Sequence, residues 1–146
     1  MRVARRSAFI LLLALTACGP SIATKSVGVV VEPGANNSSP VPVELVVVYD
    51  REILPLLLEM TARQWFDGRA QILLDHPTSL RTHLWEFVPG QELPMQRLPV
   101  PRDGAVAAFI YADYFTPGPH RVRIDPYSRV LLRLTADELV VAPVKK

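Results

Sequence analysis

The chain predicts a mainly β fold: a two-layer β-sandwich with a short helical insertion. Three observations carry this expectation. Apolar residues in most segments recur with a period of two, the spacing of a strand with one buried face. About seven or eight such segments are separated by clusters of Pro, Gly, Asn, Asp and Ser. Only one stretch, Leu54 to Leu74, has helical spacing, and there is no internal repeat or low-complexity segment. Many short strands without alternating helices pack as two sheets rather than as a parallel sheet with crossovers.

The elements follow in order. Ser26 to Glu32 places Val27, Val29 and Val31 on one face. Pro33 to Pro40 is a loop of turn formers. Val43 to Tyr49 is apolar on both faces apart from Glu44, as a central strand would be. Leu54, Leu58, Ala62 and Trp65 or Phe66 then form one helical stripe. Pro55 fits only a first turn, so the helix starts near Leu54 and ends near Asp67, with Gly68 as its cap. A short second helical turn spans Arg69 to Leu74 and stops at Asp75-His76-Pro77. Leu84 to Val88 is the next strand. Met95 to Val100, fenced by Pro94, Pro99 and Pro101, fits only an edge. Ala105 to Tyr111 is apolar on both faces and belongs in a sheet interior. His120 to Ile124 and Arg129 to Leu134 alternate, with Arg121, Arg123, Arg129 and Arg133 outward and a turn at Asp125-Pro126. Leu139 to Val141 is the final strand.

The N-terminus reads as a leader. Arg2, Arg5 and Arg6 precede an apolar run from Phe9 to Leu15, too short to span a bilayer, and the run ends Leu15-Thr16-Ala17-Cys18. This ending resembles the lipobox of bacterial lipoproteins, in which the cysteine is acylated and the chain is cut before it. Cys18 is the only cysteine of the chain, so no disulfide is available. The expected organisation is a signal peptide over 1–17, a lipidated tether over 18–25 and a sandwich domain over 26–146. The resemblance to lipoproteins implies three acyl chains on Cys18, enough for firm anchoring where one chain is marginal. Gly19 rather than Asp after the cysteine favours the outer membrane under the enterobacterial sorting rule.

Removing the leader takes three arginines and no acid, turning the net charge of +2 into −1. The basic balance therefore belongs to the leader, and no basic run remains that would bind nucleic acid. Catalysis finds little support. His76, His83 and His120 show no metal-ligand spacing with one another or with Asp75 or Asp113. Ser38, Ser39, Ser79 and Ser128 lie in turn-like sequence without a nucleophile-elbow pattern, and there is no glycine-rich phosphate loop. We expect no enzyme activity, no metal and no cofactor. Trp65, Phe66, Trp85 and Phe87 read as core, whereas Tyr114 and Phe115 sit in the loop Asp113 to Pro119, where aromatics mark contacts more often.

Beyond the lipobox, the order of motifs resembles the TssJ family, the outer-membrane lipoproteins of the type VI secretion system. The motifs are the second strand carrying Pro42, Val43, Leu45, Val48 and Tyr49, the helical insert ending in Trp65-Phe66, Pro89-Gly90-Gln91, the apolar Val106 to Phe109, and the closing Leu-Arg-Leu-Thr and Glu-Leu-Val-Val. The resemblance covers nearly the whole chain after Cys18. It implies a transthyretin-like sandwich with a helical protrusion, no catalytic site, and a structural role in the secretion membrane complex on the periplasmic face of the outer membrane. It further implies contact between the loop joining the first two strands and a TssM-like periplasmic domain of an inner-membrane partner. Here that loop is Gly34, Ala35, Asn36, Asn37, Ser38 and Ser39, stiffened at its ends by Pro33 and Pro40. Two other binding roles fit the sequence: a pilotin or assembly lipoprotein that escorts an outer-membrane component, and a periplasmic inhibitor or ligand-binding module.

Overall fold

The computed structural model of the chain describes residues 21–144. Cys18 and the leader lie outside the described residues. Among the described residues eight strands form two four-stranded sheets. The first has the order β4 (Glu92–Arg97), β1 (Ser26–Val31), β7 (Arg129–Leu134), β8 (Leu139–Pro143); the second has β3 (Leu80–Phe87), β2 (Val41–Val48), β5 (Ala107–Ala112), β6 (Arg121–Arg123). All neighbours are antiparallel except β1 and β7, which run parallel from Ser26↔Arg129 to Val31↔Leu134.

The two strands expected at a sheet centre are there. β2 and β5 pair in register, and all of β5 is buried. One face of the pair, with Val43, Leu45, Val47, Ala108 and Ile110, packs onto the first sheet. The other face, with Val46, Val48, Ala107, Phe109 and Tyr111, packs under the helical insert against Leu57, Ala62 and Trp65. Being covered twice is what makes these strands apolar on both faces. β4 takes the expected edge, shifted toward the N-terminus to include Pro94 at a bulge in its register with β1. Pro lacks the ladder donor, and a bulged edge is where that is tolerated.

The insert departs from the expected single helix. A 3₁₀ turn (Arg51–Ile53) leads into α1 (Leu54–Glu59), and a separate α2 runs Ala62–Asp75. Gly68 is inside α2, not at a cap. The break falls at Met60-Thr61 because Thr61 closes a capping box with Gln64: its hydroxyl accepts from Gln64 N–H, and the Gln64 side chain accepts from Thr61 N–H at 2.8 Å. Restarting the helix changes its phase, so Leu57 rather than Leu58 enters the core.

The expected turn at Asp125-Pro126 is present and joins the two sheets: β6 pairs with β5 and β7 pairs with β1, so the chain crosses between sheets there. Ser21 to Lys25, the last part of the expected tether, are held against the sandwich. Ile22 and Thr24 are buried, Thr24 Oγ1 donates to Ile124 O at 2.6 Å, and Ala23 and Lys25 N–H donate to Asp125 and Ser128 carbonyls. A lone large apolar residue in a polar stretch gave no period to read; Ile22 is buried as part of the sandwich core.

Among the described residues no helix is long and apolar enough to cross a membrane.

Candidate functional site

The loop Gly34 to Ser39 is more tightly built than a solvated turn. Asn36, Asn37 and Ser38 coil left-handed, with φ of 49°, 57° and 57°. Asn tolerates this region better than most residues because its short amide bonds locally. Asn36 is buried, its carbonyl accepts from Ser39 N–H (3.1 Å), and its other three polar groups are used as well. Its N–H donates to Ala136 O (3.0 Å), its Nδ2 donates to Pro40 O (2.9 Å), and its Oδ1 accepts from Phe115 N–H (2.7 Å). Of the six residues expected to meet a partner, Ala35 and Asn36 are therefore internal braces. Gly34, Asn37 and Ser38 are exposed, and Ser39 is half-exposed.

The bond to Phe115 joins two loops that are about 80 residues apart in sequence. β1 ends and β5 ends at the same end of the sandwich, and β7, parallel to β1, delivers the Thr135–Glu138 turn there as well. Phe115 is 68 % exposed at the centre of this convergence. Gly34, Asn37, Thr116, Pro117 and Asp137 surround it and line a shallow groove of about 460 Å³.

The loop carrying Phe115 is fixed from below. Tyr114 is buried, its hydroxyl donates toward the Thr135 and Glu138 carbonyls (3.1 and 3.0 Å), and its ring stacks on His120 at 4.8 Å. Burial, with nearby Glu32, Glu138 and Asp137, pushes the Tyr114 phenol above its ordinary pKa. His120 Nε2 lies 2.8 Å from Thr116 O, and Thr116 Oγ1 donates to Asp137 O at 3.0 Å. A Cβ on Gly118 would fall 2.8 Å from the His120 ring, so a side chain there would push the ring off its contacts with Tyr114 and Thr116.

The helical insert braces the same loop from the side. Ala62 N–H donates to Pro119 O. Arg63 pairs with Asp113 (3.0 Å) and donates to Tyr114 O. Asp113 is raised above the usual aspartate range, chiefly by burial, with Arg63 opposing, Asp67 adding and His120 opposing. Its Oδ1 lies near Arg63 without hydrogen-bond alignment.

The remaining polar clusters tie elements of the fold together. Glu44, only 1 % exposed, accepts from Trp65 Nε1 (2.8 Å) and from Arg69 Nη1 (2.7 Å), which ties α2 to β2. Tyr111 stacks on Trp65 and donates to Leu57 O, and its phenol is raised by burial. Arg121, expected outward, turns its guanidinium to the carbonyls of Leu57, Leu58 and Met60 at the C-terminal end of α1. His83 meets the edge of Trp85 at 4.6 Å. No group of three or more His, Cys, Asp or Glu close enough to hold a metal ion occurs among the described residues.

No protein-family profile matches the sequence, and no curated protein does. Solved structures do. The T6SS lipoprotein TssJ1 from Pseudomonas aeruginosa superposes with a TM-score of 0.64 at 12 % identity, covering 87 % of this chain and 99 % of that one. Serratia marcescens Lip, described as a membrane-bound component of the type VI secretion system, gives 0.59 at 13 % identity over 87 % and 98 %. A chain in a structure described as the T6SS protein TssM C-terminal domain from EAEC gives 0.61 at 16 % identity over 82 % and 100 %. At these identities the likeness is one of backbone architecture, and the chain has a TssJ-like fold.

Proposed function

We propose that this chain is a lipid-anchored structural component of a type VI secretion membrane complex, held by Cys18 at the periplasmic face of the outer membrane. In this role it is an adaptor and not an enzyme. The observation that carries the reading is the convergence, on a TssJ-like fold, of the Gly34–Ser39 loop and an exposed Phe115 on one rigid end of the sandwich. A large aromatic held out on a braced loop is what a protein contact uses, because its apolar area is gained at little ordering entropy. The partner on this reading is the periplasmic domain of a TssM-like inner-membrane protein.

The test is the affinity of the purified processed chain for that domain. Phe115→Ala should weaken binding at least tenfold, about 1.4 kcal/mol, with the fold intact. Asn37→Ala and Ser38→Ala, at the exposed positions of the first loop, should each weaken it less. Unchanged affinity in folded Phe115→Ala overturns this docking surface. Capture of a secretin or a hydrolase from envelope extract instead would assign the pilotin or the inhibitor class.

A further inference from the structure

Among the described residues, Arg63, Arg69, Arg123 and Arg133 each pair with an acid. Seven other lysines and arginines have no acidic partner within 4.0 Å. Of these, Arg81 and Arg121 donate to backbone carbonyls and Arg51 lies in the 3₁₀ turn, whereas the fold gathers Lys25, Arg97, Arg102 and Arg129 at one place. Ser26, at the start of β1, pairs with Arg97 of β4 on one side and with Arg129 of β7 on the other. Val27 and Val130, next along, are fully buried, so Arg97 and Arg129 flank Ser26 on the side away from the core. Lys25, the residue before, joins Arg97 and Arg102 around a hollow of about 300 Å³. In sequence the four are scattered, which is why no basic run was visible; the sheet order assembles them.

The same end receives the N-terminal segment. Ser21 bridges to Asp103, Ser21 Oγ lies 3.4 Å from Arg102 O, and Arg102 Nη1 donates to Ile22 O at 3.2 Å. Because the chain is fixed from Ser21 onward, only three residue steps separate it from Cys18, a reach of roughly 10 Å at full stretch. A lipid on Cys18 therefore leaves little slack. The end that must face the bilayer is the end that carries the four cations, with exposed Asp103 beside them and Asp125, held by Arg123, at the neighbouring turn. β1 runs from this end to the Phe115 end, a span of roughly 17 Å along the strand.

We infer that this end of the sandwich docks on an anionic lipid surface, with Lys25, Arg97, Arg102 and Arg129 contacting headgroup phosphates. The inference rests on the reading that Cys18 carries the anchor. The docking fixes the orientation of the domain, with its Phe115 end directed away from the membrane. Each basic residue near an anionic bilayer strengthens attachment by about fivefold, an attraction that salt screens.

The test uses the processed protein, whose only native thiol is consumed by acylation, so that Ser128→Cys introduces a single site for a solvent-sensitive fluorophore. Ser128 is exposed and its carbonyl accepts from Lys25 N–H. The label should be shielded from a water-soluble quencher in bilayers of equal phosphatidylcholine and phosphatidylglycerol. Shielding should be lost in phosphatidylcholine alone, in high salt, and in the K25Q/R97Q/R102Q/R129Q variant. The exposed single changes K25Q and R97Q should each lose part of it, which guards against misfolding of the quadruple variant. Equal shielding in every condition, or none in any, overturns the inference. Intact mass reads the anchor separately: a chain without acyl mass refutes lipidation at Cys18, and flotation of that chain with the anionic vesicles, compared with the quadruple variant, then decides the headgroup contact.

Discussion

Asn36 concentrates more structural consequence than any other polar side chain near the candidate docking surface. Its side-chain amide ties Pro40 to Phe115, and its backbone N–H, on a residue at φ 49°, holds the β7–β8 turn. In Asn36→Ala the Phe115 N–H loses its partner and a Cβ-bearing residue without a local acceptor must hold a left-handed backbone. Together these cost about 2–4 kcal/mol, read as a lowered urea midpoint; a loss under about 1 kcal/mol would mean the loop is not braced through this amide. Asp113 makes a prediction about pH. Burial raises its carboxyl, so between its ordinary and its raised pKa the native chain binds more protons than the unfolded one. Stability from this group is therefore greatest below the ordinary aspartate value of about 3.9 and falls as pH rises through that window. Asp113→Asn, which keeps an acceptor for Arg63, should gain on the wild type as pH rises from there. A difference in urea midpoint that stays constant with pH would show that Asp113 is not penalised by folding.

The helical insert illustrates how one local motif overrides a plausible reading of another. Gly68 before a charged residue reads as a C-cap, but Thr61 with Gln64 three residues later is a start signal, and once α2 begins at Ala62 it runs through Gly68 to Asp75. The two readings predict opposite signs. At a cap with positive φ, alanine would strain the backbone; inside a helix it removes unfolded-state entropy. The site has room, because a Cβ there meets only Ile72 Cδ1 at 3.7 Å. Gly68→Ala should therefore stabilise the fold by about 0.5–1 kcal/mol in thermal or urea unfolding. A loss of stability would restore the cap. The insert also ties the two ends of its own story together: α2 grips β2 through Glu44 and braces the Phe115 loop through Arg63.

In the assembled molecule the strands act as a spacer between two ends of different chemistry. One end carries the N-terminal segment and unpaired cations, and the other carries an exposed aromatic on a braced loop. On this reading the membrane anchor is the lipid on Cys18, and the cations at the same end orient the domain against the surface. Cys18→Ser should move the protein to the soluble fraction or leave it unprocessed, as seen by cell fractionation and intact mass. Normal cleavage with unchanged outer-membrane fractionation would remove the anchor from Cys18.

The period-two pattern, the doubly apolar β2 and β5 and the proline-fenced edge β4 were all legible in order along the chain, because each is set by neighbours within a few residues: strand alternation, turn chemistry and the missing proline donor act locally. The Asn-containing loop was also singled out, but as a free polar surface. That Asn36 faces inward while Phe115 faces out could not be read, since it depends on β1, β5 and β7 ending at the same end of the sandwich. The same holds for the crossing between sheets at Asp125-Pro126 and for the cluster of Lys25, Arg97, Arg102 and Arg129. Those features come from sheet order, and sheet order is decided by which apolar faces can cover one another, a global packing condition that no local stretch of sequence contains.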